Sequence, residues 1–249
     1  MSSPLLTVVL PIRNRSGVRL ENCLRSLRWQ EGITRDDVEI LISDFGSSPE
    51  HRDKVVAGAA TFDARVQYTD VDGLWNRSRA LNIGVKRARG KFTLCTDVDM
   101  VMAPTFLRVL MEEQEKLAGR GFLLCQSRDL EPDTEGKTIP LEEYDRYLRA
   151  TTMRPTYGMG GCQCAETTWF HSVHGYDEGY TYWGAEDTDM VGRAKRDGRI
   201  IQWVTEKTAM IHQWHPTTKY DKPWLVRKNR WRLTLTGWIV RKNRSGWGE

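Results

Sequence analysis

The chain has 249 residues, of which 39% are apolar and 28% are charged. These values exclude a fibrous or largely disordered protein and predict an ordered α/β domain with a substantial core. The net charge of +4 is too small to indicate that the chain as a whole binds nucleic acid. No apolar run reaches the length of about 18 residues that a membrane-spanning helix needs.

The cysteines and the N-terminal residues indicate the cellular compartment of the protein. Five cysteines are an odd number, and Cys162 and Cys164 are spaced too closely to form a good zinc pair, so we expect free thiols in a reducing cytoplasm. The apolar residues 5–12 have no basic leader and contain Pro11, which favours a first strand over a signal peptide.

The first hundred residues alternate predicted strands and helices. Strands at 6–12 and 38–43 enclose an amphipathic helix at 18–30, a βαβ unit that predicts parallel strands. The same alternation predicts a strand at 65–68, a helix at 78–89 and a strand at 92–95.

The remaining elements are less regular. We predict a helix at 105–117, a strand at 122–126, a helix at 187–197 and a strand at 200–204. The polar residues 127–138 predict a loop, and the residues 157–182, rich in glycine and aromatics, predict loops that line a cleft.

Residues 223–249 form a basic, tryptophan-rich segment after a catalytic domain that we expect to span residues 1–222. Trp224, Trp231 and Trp238 lie seven residues apart, so a helix would bring them to one face. Two interpretations remain open: a terminal helix that packs its tryptophans on the core, or an element that binds a membrane interface or the acceptor.

Two carboxylates, Asp97 and Asp99, directly follow the predicted strand 92–95. Open α/β sheets bind ligands at the carboxyl ends of their strands. Two carboxylates at that edge suit a hard divalent ion such as Mn²⁺ or Mg²⁺. A solvated turn that caps the next helix would have the same pattern.

A second group comprises Trp183, Glu186 and Asp187, at the start of a predicted helix. Carboxylates alone would fit a charged helix N-terminus. An adjacent tryptophan is typical of a sugar site, where the ring covers the sugar and a carboxylate accepts a hydroxyl proton. His212 and His215 follow later, and either one could provide a nitrogen ligand to the same metal.

Taken in order, these motifs resemble the family 2 glycosyltransferases over residues 5–216. The segment Trp183-Gly-Ala-Glu-Asp187 also resembles the β-1,4-galactosyltransferase and chondroitin-polymerase type catalytic domains. The other motifs are Thr7-Val-Val-Leu-Pro-Ile-Arg-Asn14, Glu39-Ile-Leu-Ile-Ser-Asp-Phe-Gly-Ser47, Arg79-Ala-Leu-Asn-Ile-Gly84, Thr96-Asp-Val-Asp99 and Gly175-Tyr-Asp-Glu178.

The resemblance implies a GT-A fold, a Rossmann-like mixed sheet with flanking helices in a single domain. It implies that Asp44 contacts the nucleotide base, usually uracil, although Phe45 stands where a second acid is common. It assigns Asp99 and His212 to the metal, with Asp97 and His215 as further candidates. The other residues that it assigns to the nucleotide-sugar donor are Pro11, Arg13, Arg79, Asp97 and Trp183.

The resemblance also implies a mechanism. Asp187 matches the catalytic base and Glu186 a residue that binds the acceptor or the donor sugar. Similar retaining enzymes carry Asn where this chain has Asp187, which favours inversion at the anomeric carbon. The expected function is therefore metal-dependent transfer of a sugar, most often from a UDP-sugar, to an acceptor hydroxyl.

Two alternatives belong to other functional classes. A nucleotidyltransferase of similar fold would split the donor at phosphate, but residues 11–17 only poorly match the glycine-rich basic loop of such enzymes. A non-catalytic sugar-nucleotide or glycan-binding module would not turn over its ligand. The acceptor stays open among a glycan, a lipid-linked molecule, a protein and a modified nucleic acid, with peripheral membrane contact through residues 223–249 as a further possibility.

Overall fold

The computed structural model describes residues 3–154, 158–216, 221–244 and 246–249. The strands are β1 (Leu6–Ile12), β2 (Val38–Phe45), β3 (Arg65–Thr69), β4 (Phe92–Cys95), β5 (Met100–Met102), β6 (Gly121–Leu124), β7 (Ser127–Asp129), β8 (Thr152–Met153), β9 (Gln163–Glu166), β10 (Ile200–Trp203) and β11 (Met210–His212). The α-helices are α1 (Val18–Arg28), α2 (Pro49–Thr61), α3 (Arg77–Arg87), α4 (Phe106–Lys116), α5 (Tyr144–Arg149), α6 (Thr167–Ser172), α7 (Glu186–Arg196) and α8 (Pro223–Thr236).

The main sheet has the strand order β10-β6-β9-β4-β1-β2-β3. All its neighbours are parallel except β9, which runs antiparallel to both β4 and β6. The carboxyl ends of β1, β2 and β4 therefore meet at one edge of the sheet, where ligands of open α/β sheets bind.

Apolar side chains cover both faces of this sheet. Successive residues of β1 point to opposite faces, so Val8 and Leu10 join one buried cluster and Val9 joins the other. Leu24 of α1 and Leu110 of α4 complete the first cluster. The second cluster contains Leu81, Phe170, Met190 and Trp247. The molecule is thus a three-layered α/β structure.

A smaller sheet with the order β5-β11-β7-β8 flanks the ligand-binding edge. Its register sets His212 opposite Met100 on one side and opposite Asp129 on the other. This pairing brings three distant parts of the sequence together beside Asp99.

The predicted strands and helices of the first hundred residues are confirmed, as are α4, β6, α7 and β10. The prediction of loops across 157–182 is wrong for residues 163–172, which form β9 and α6, whereas the other described residues of this range are in no strand or helix. The first three residues of the loop predicted at 127–138 form strand β7. Sequence analysis also missed α2, since only Val55 and Ala59 of this helix are buried and it shows little apolar periodicity.

Buried charges attach the C-terminal residues to the rest of the chain. Asp177 accepts hydrogen bonds from the Arg232 guanidinium at 2.7 and 2.9 Å, and Lys242 Nζ lies 3.2 Å from its Oδ2. Lys242 also approaches Asp189, which forms a fully buried 2.9 Å ion pair with Arg193. Burial disfavours the charge of Asp177, but the Arg232 contact holds its pKa below the ordinary value.

We predict that Asp177→Asn lowers the free energy of unfolding by about 3 kcal/mol, because it leaves Arg232 without its counter-charge and Lys242 with only Asp189, 3.6 Å away. Urea denaturation followed by circular dichroism measures the change. Glu50→Gln is the control: it breaks the exposed pair with Lys54 and should leave the midpoint unchanged. An unchanged midpoint for Asp177→Asn would show that this cluster does not hold the C-terminal residues in place.

Candidate functional site

Arg77 lies among three carboxylates at the ligand-binding edge of the main sheet. Its Nε is 2.8 Å from Asp97 Oδ1, and one terminal nitrogen is 2.8 Å from Asp187 Oδ1 and 3.8 Å from Glu186 Oε1. The other terminal nitrogen donates to the Gly160 carbonyl at 2.9 Å. One guanidinium therefore links the end of β4, the start of α7 and the segment before β9.

The start of α3 explains why Arg77, and not Arg79, occupies this position. Asn76 caps the helix by accepting a hydrogen bond from the Arg79 amide at 2.9 Å. Residues two apart on a helix point about 200° apart, so the two arginines face different ways. Arg79 lies over the Phe45 ring at 5.8 Å and donates to the Glu249 carbonyl. Sequence analysis named Arg79 and missed Arg77, although the cap residue Asn76 was a usable signal.

Gly160 packs directly against the catalytic candidate Asp187. A Cβ atom at Gly160 would lie 2.5 Å from Asp187 Oδ2, which is closer than real Cβ contacts permit. On the other side, Gln163 of β9 donates to the Asp187 carbonyl at 3.1 Å. Both the backbone and the side chain of Asp187 are therefore fixed by the segment that sequence analysis interpreted as loop.

Burial and mutual repulsion change the acidity of this group. Burial, reinforced by the charge of Asp187, raises the pKa of Glu186 to about 8. Burial also raises the pKa of Asp187, although Arg77 opposes the shift. Burial alone would lower the pKa of Arg77, but the carboxylates of Asp97, Asp187 and Glu186 raise it well above its ordinary value. Near neutral pH the cluster thus holds a permanent cation, with Glu186 retaining its proton.

Asp99, His212 and His215 form a second cluster, in which one ligand atom from each lies within 4.8 Å of the others. Asp99 Oδ2 is 3.1 Å from His215 Nε2 and 3.9 Å from His212 Nε2. Asp99 Oδ1 is buried and has no hydrogen-bond partner among the described residues. Burial disfavours the Asp99 anion, but the hydrogen bond from His215 and the charges of both histidines lower its pKa. A buried carboxylate with an unpaired oxygen beside two imidazoles fits a divalent ion.

Asp129 of β7 and Arg154 orient His212 from behind. His212 Nδ1 lies 2.9 Å from Asp129 Oδ1, and Arg154 Nε donates to Asp129 Oδ2 at 2.9 Å. A carboxylate on the far ring nitrogen fixes the orientation of a metal-binding histidine and leaves Nε2 for the ion. Sequence analysis missed both residues, because their proximity depends on the pairing of β7 with β11.

Asp97 belongs to the Arg77 group by its contacts, whereas Asp99 belongs to the histidine group. Cys95, the last residue of β4, is buried, and Asp97 is partly exposed beyond it. The Asp-x-Asp pair thus directs its two carboxylates to different partners.

Asp44 is the penultimate residue of β2 and is fully buried. Its Oδ1 accepts from the Ser47 amide at 3.0 Å, while Oδ2 is buried without a hydrogen-bond partner among the described residues. The loops after β1 and β2 are joined by two 2.8 Å hydrogen bonds between Asn14 and residues 47–48. Pro11 is buried in β1 opposite Ser43, and Arg13 donates to the Gly73 carbonyl at 2.7 Å.

Trp183 lies on a strained loop that leads into α7. Tyr182 and Ala185 have positive φ values of 73° and 80°, which residues with a Cβ rarely adopt. Trp183 is 45% exposed. Asn229 of α8 donates to the Thr181 and Trp183 carbonyls at 2.9 and 3.0 Å, so the loop is held by the C-terminal helix.

Two family models match the chain in succession. One, described as glycosyl transferase family 2, matches residues 7–166. The other, described as the N-terminal domain of galactosyltransferase, matches residues 146–216. Both resemblances stated from the motifs are therefore confirmed.

A curated relative is the uncharacterized glycosyltransferase EpsJ of Bacillus subtilis (strain 168). It is 30% identical over 125 residues, which are 48% of this chain and 34% of that protein. The chain thus matches about a third of the length of this relative.

Solved structures share the fold at low sequence identity. S. aureus TarS is 16% identical with a TM-score of 0.62, over 92% of this chain and 39% of its own. The mannosyltransferase PcManGT from Pyrobaculum calidifontis, in complex with GDP-Man and Mn²⁺, is 17% identical with a TM-score of 0.62, over 100% and 67%. GalNAc-T7 with UDP, GalNAc and Mn²⁺ is 17% identical with a TM-score of 0.64, over 86% and 44%. The expected GT-A fold is confirmed.

We predict that Glu186 makes the protein less stable as pH rises from about 4.5 to about 8. The native state keeps the Glu186 proton up to about pH 8, whereas the unfolded chain releases it near the ordinary value of 4.5. The unfolded state therefore binds fewer protons in this window, and the free energy of unfolding falls with pH. Glu186→Gln should flatten the decline in melting temperature between pH 5 and 8.

The control for this experiment is Glu142→Gln, since Glu142 is exposed and its replacement should preserve the wild-type slope. A Glu186→Gln protein whose melting temperature falls as steeply as that of the wild type would contradict the raised pKa.

Proposed function

Because the chain belongs to glycosyl transferase family 2, we propose that it transfers one sugar from a UDP-sugar to an acceptor hydroxyl, with a divalent ion and with inversion at the anomeric carbon. The observation that carries this proposal is the Asp-x-Asp pair after β4. Asp99 belongs to a candidate metal group with two histidines, and Asp97 shares Arg77 with Glu186 and Asp187.

The donor assignment rests on Asp44 and on the nucleotides bound by the structural relatives. Asp44 Oδ2 is a buried acceptor without a described partner, and a ring N–H of uracil would supply the missing donor. The structural relatives include complexes with UDP, with UDP-GlcNAc and with GDP-Man. We favour UDP because a carboxylate paired with a single N–H suits uracil; guanine presents two neighbouring donors, and Phe45 replaces the second acid that could accept from one of them.

The metal assignment rests on Asp99, His212 and His215. We propose that Asp99 Oδ and the Nε2 atoms of both histidines hold Mn²⁺ or Mg²⁺, and two of the structural relatives contain Mn²⁺. When bound, such an ion offsets the negative charge that develops on the departing diphosphate. This set of one carboxylate and two imidazoles suits Mn²⁺ better than Mg²⁺, which prefers oxygen ligands.

We assign the base to Asp187 and an acceptor-binding role to Glu186. Burial raises the pKa of Asp187 toward neutrality, which suits a group that must take up a proton during the reaction. Arg77 contacts Asp187 and favours its ionised form at rest. Glu186 retains a proton up to about pH 8, so it can donate a hydrogen bond to a sugar or acceptor oxygen instead.

In the proposed step the acceptor O–H proton passes to Asp187, and the acceptor oxygen forms a bond to the anomeric carbon. The bond from that carbon to the phosphate oxygen breaks, and its electron pair remains with the nucleoside diphosphate. Once Asp187 has accepted the proton it is neutral, and Arg77 then stabilises the negative charge that remains on Asp97. Attack from the face opposite the leaving group inverts the configuration.

The two alternatives are less well supported. A nucleotidyltransferase of similar fold usually carries a glycine-rich basic loop after the first strand, and residues 11–17 match that loop poorly. A non-catalytic module would not require the partly buried ion pair between Arg77 and Asp187. The cytoplasmic location stays a prediction, supported by five buried cysteines that form no disulfide. No helix in the described part of the chain is long and apolar enough to cross a membrane.

We predict that Asp99→Ala abolishes Mn²⁺ binding and that Asp129→Asn weakens it by about 10- to 100-fold, because Asp129 orients His212. Isothermal titration calorimetry with MnCl₂ on the full chain measures both. Asp133→Asn is the control, since Asp133 is exposed in the loop after β7 and should leave the affinity unchanged. Wild-type Mn²⁺ affinity in Asp99→Ala would rule out this site.

We predict that Asp187→Asn lowers the rate of UDP-sugar hydrolysis by about 10²- to 10⁴-fold with little change in donor affinity, because it removes the proton acceptor and keeps its shape. Glu186→Gln should change KM more than kcat. Early proton NMR spectra of the released sugar should show the inverted anomer. Full activity of Asp187→Asn with an inactive Glu186→Gln would reverse the two roles, and a retained anomer would contradict single displacement.

A further inference from the structure

The inner face of α8 is bound to the loop that carries Trp183. Leu225 and Asn229 are buried, and Asn229 donates to two carbonyls of this loop. Arg232, one turn further along, reaches the buried Asp177. These contacts fix which side of α8 faces the protein, and hence which side faces outward.

The outer face of α8 carries large apolar side chains, and Trp238, two residues after the helix ends, adds another. Trp224, Trp231, Leu235 and Trp238 are 64%, 62%, 64% and 68% exposed. Their spacing of three, four and seven residues aligns them in one stripe along the helix. We call these four residues the tryptophan face. The sequence allowed two interpretations of the three evenly spaced tryptophans. The one in which a terminal helix packs them on the core is wrong, because all three are exposed.

Basic residues surround the tryptophan face. Arg227, Lys228, Arg230 and Arg244 are exposed, and the sequence has no Asp or Glu between Lys222 and Gly248. An exposed row of tryptophans beside cations is typical of a helix that lies in the interface of an anionic bilayer, where indole rings occupy the headgroup level and cations contact phosphates.

We propose that the tryptophan face and its basic neighbours bind the surface of an anionic phospholipid membrane. A second copy of the chain is a poorer partner, because two identical basic faces would repel one another. A nucleic acid is a poorer partner as well: the aliphatic Leu235 within the stripe gains nothing from phosphates, whereas a bilayer interface accommodates it beside the indoles.

Membrane binding would also orient the proposed active site. α8 is hydrogen-bonded to residues 181 and 183, and the chain continues from there directly to Glu186 and Asp187. A bilayer at the tryptophan face would therefore lie across α8 from this loop and would hold α8, and the loop bound to it, at a fixed orientation to the membrane. This consequence, an acceptor held at the membrane surface, rests on the proposed function; membrane binding itself does not.

The test is co-sedimentation of the full chain with vesicles of phosphatidylcholine alone or with 30 mol% phosphatidylglycerol. We expect binding to the anionic vesicles, weakened by 0.5 M NaCl because salt screens the exposed charges. Arg227→Gln/Lys228→Gln should reduce the affinity by about fivefold for each charge removed. Trp231→Ser/Trp238→Ser should reduce it further, since both indoles insert at the interface.

Matched controls separate the α8 surface from general effects. Trp29→Ser removes a tryptophan that is 36% exposed elsewhere, and Arg35→Gln/Lys195→Gln removes two exposed cations outside α8; both should bind as the wild type does. Asp187→Asn should also bind normally, because vesicle binding does not need turnover.

Three outcomes would overturn the proposal. In the first, the wild type remains in the supernatant with both kinds of vesicle. In the second, the α8 variants bind vesicles as tightly as the wild type. In the third, the α8 variants bind duplex DNA, or associate with themselves in light scattering, more weakly than the wild type while their vesicle binding is unchanged. In none of these cases would the donor hydrolysis assigned to Asp187 be affected, so the two proposals fail separately.

Discussion

The ion pairs of Arg77 are the interaction on which the rest of the site depends. Three carboxylates that lie close together in a largely buried setting would repel one another and would each lose hydration. The Arg77 guanidinium offsets part of this cost through Asp97 and Asp187. It also joins α3, the turn after β4, α7 and the Gly160 backbone, so the orientation of the carboxylates proposed for catalysis depends on the packing of four separate segments around one side chain.

The small sheet serves the metal group in the same way. The register of β11 between β5 and β7 brings His212 beside both Asp99 and Asp129. Arg154 neutralises Asp129, and Asp129 in turn orients His212. Each of the two groups thus consists of residues proposed to act on the substrates or the metal and of further residues that fix their orientation. In both groups these further residues make contacts with residues far apart in sequence.

The contrast between local sequence patterns and contacts between distant residues explains what the sequence could predict. Strands such as β1 and β4 have continuous apolar runs, and the Asp-x-Asp pair follows β4 directly, so local patterns revealed the sheet edge and Asp97, Asp99, Glu186 and Asp187. β9 has the sequence Gln-Cys-Ala-Glu, whose strand conformation comes from pairing with β4 and β6. Asp129 and Arg154 have no local signal for their roles, because only tertiary contacts bring them to the site. For Arg77 the one local signal was the helix cap at Asn76.

Release of the nucleotide tests the central claim most directly. The full chain is incubated with UDP-, GDP- and dTDP-sugars in the presence of Mn²⁺ or of EDTA, and the nucleotide products are separated by chromatography. The proposed function predicts slow release of UDP from a UDP-sugar with Mn²⁺ and none with EDTA. Release of a nucleoside monophosphate, release that continues in EDTA, or no release from any donor would contradict metal-dependent glycosyl transfer at this site.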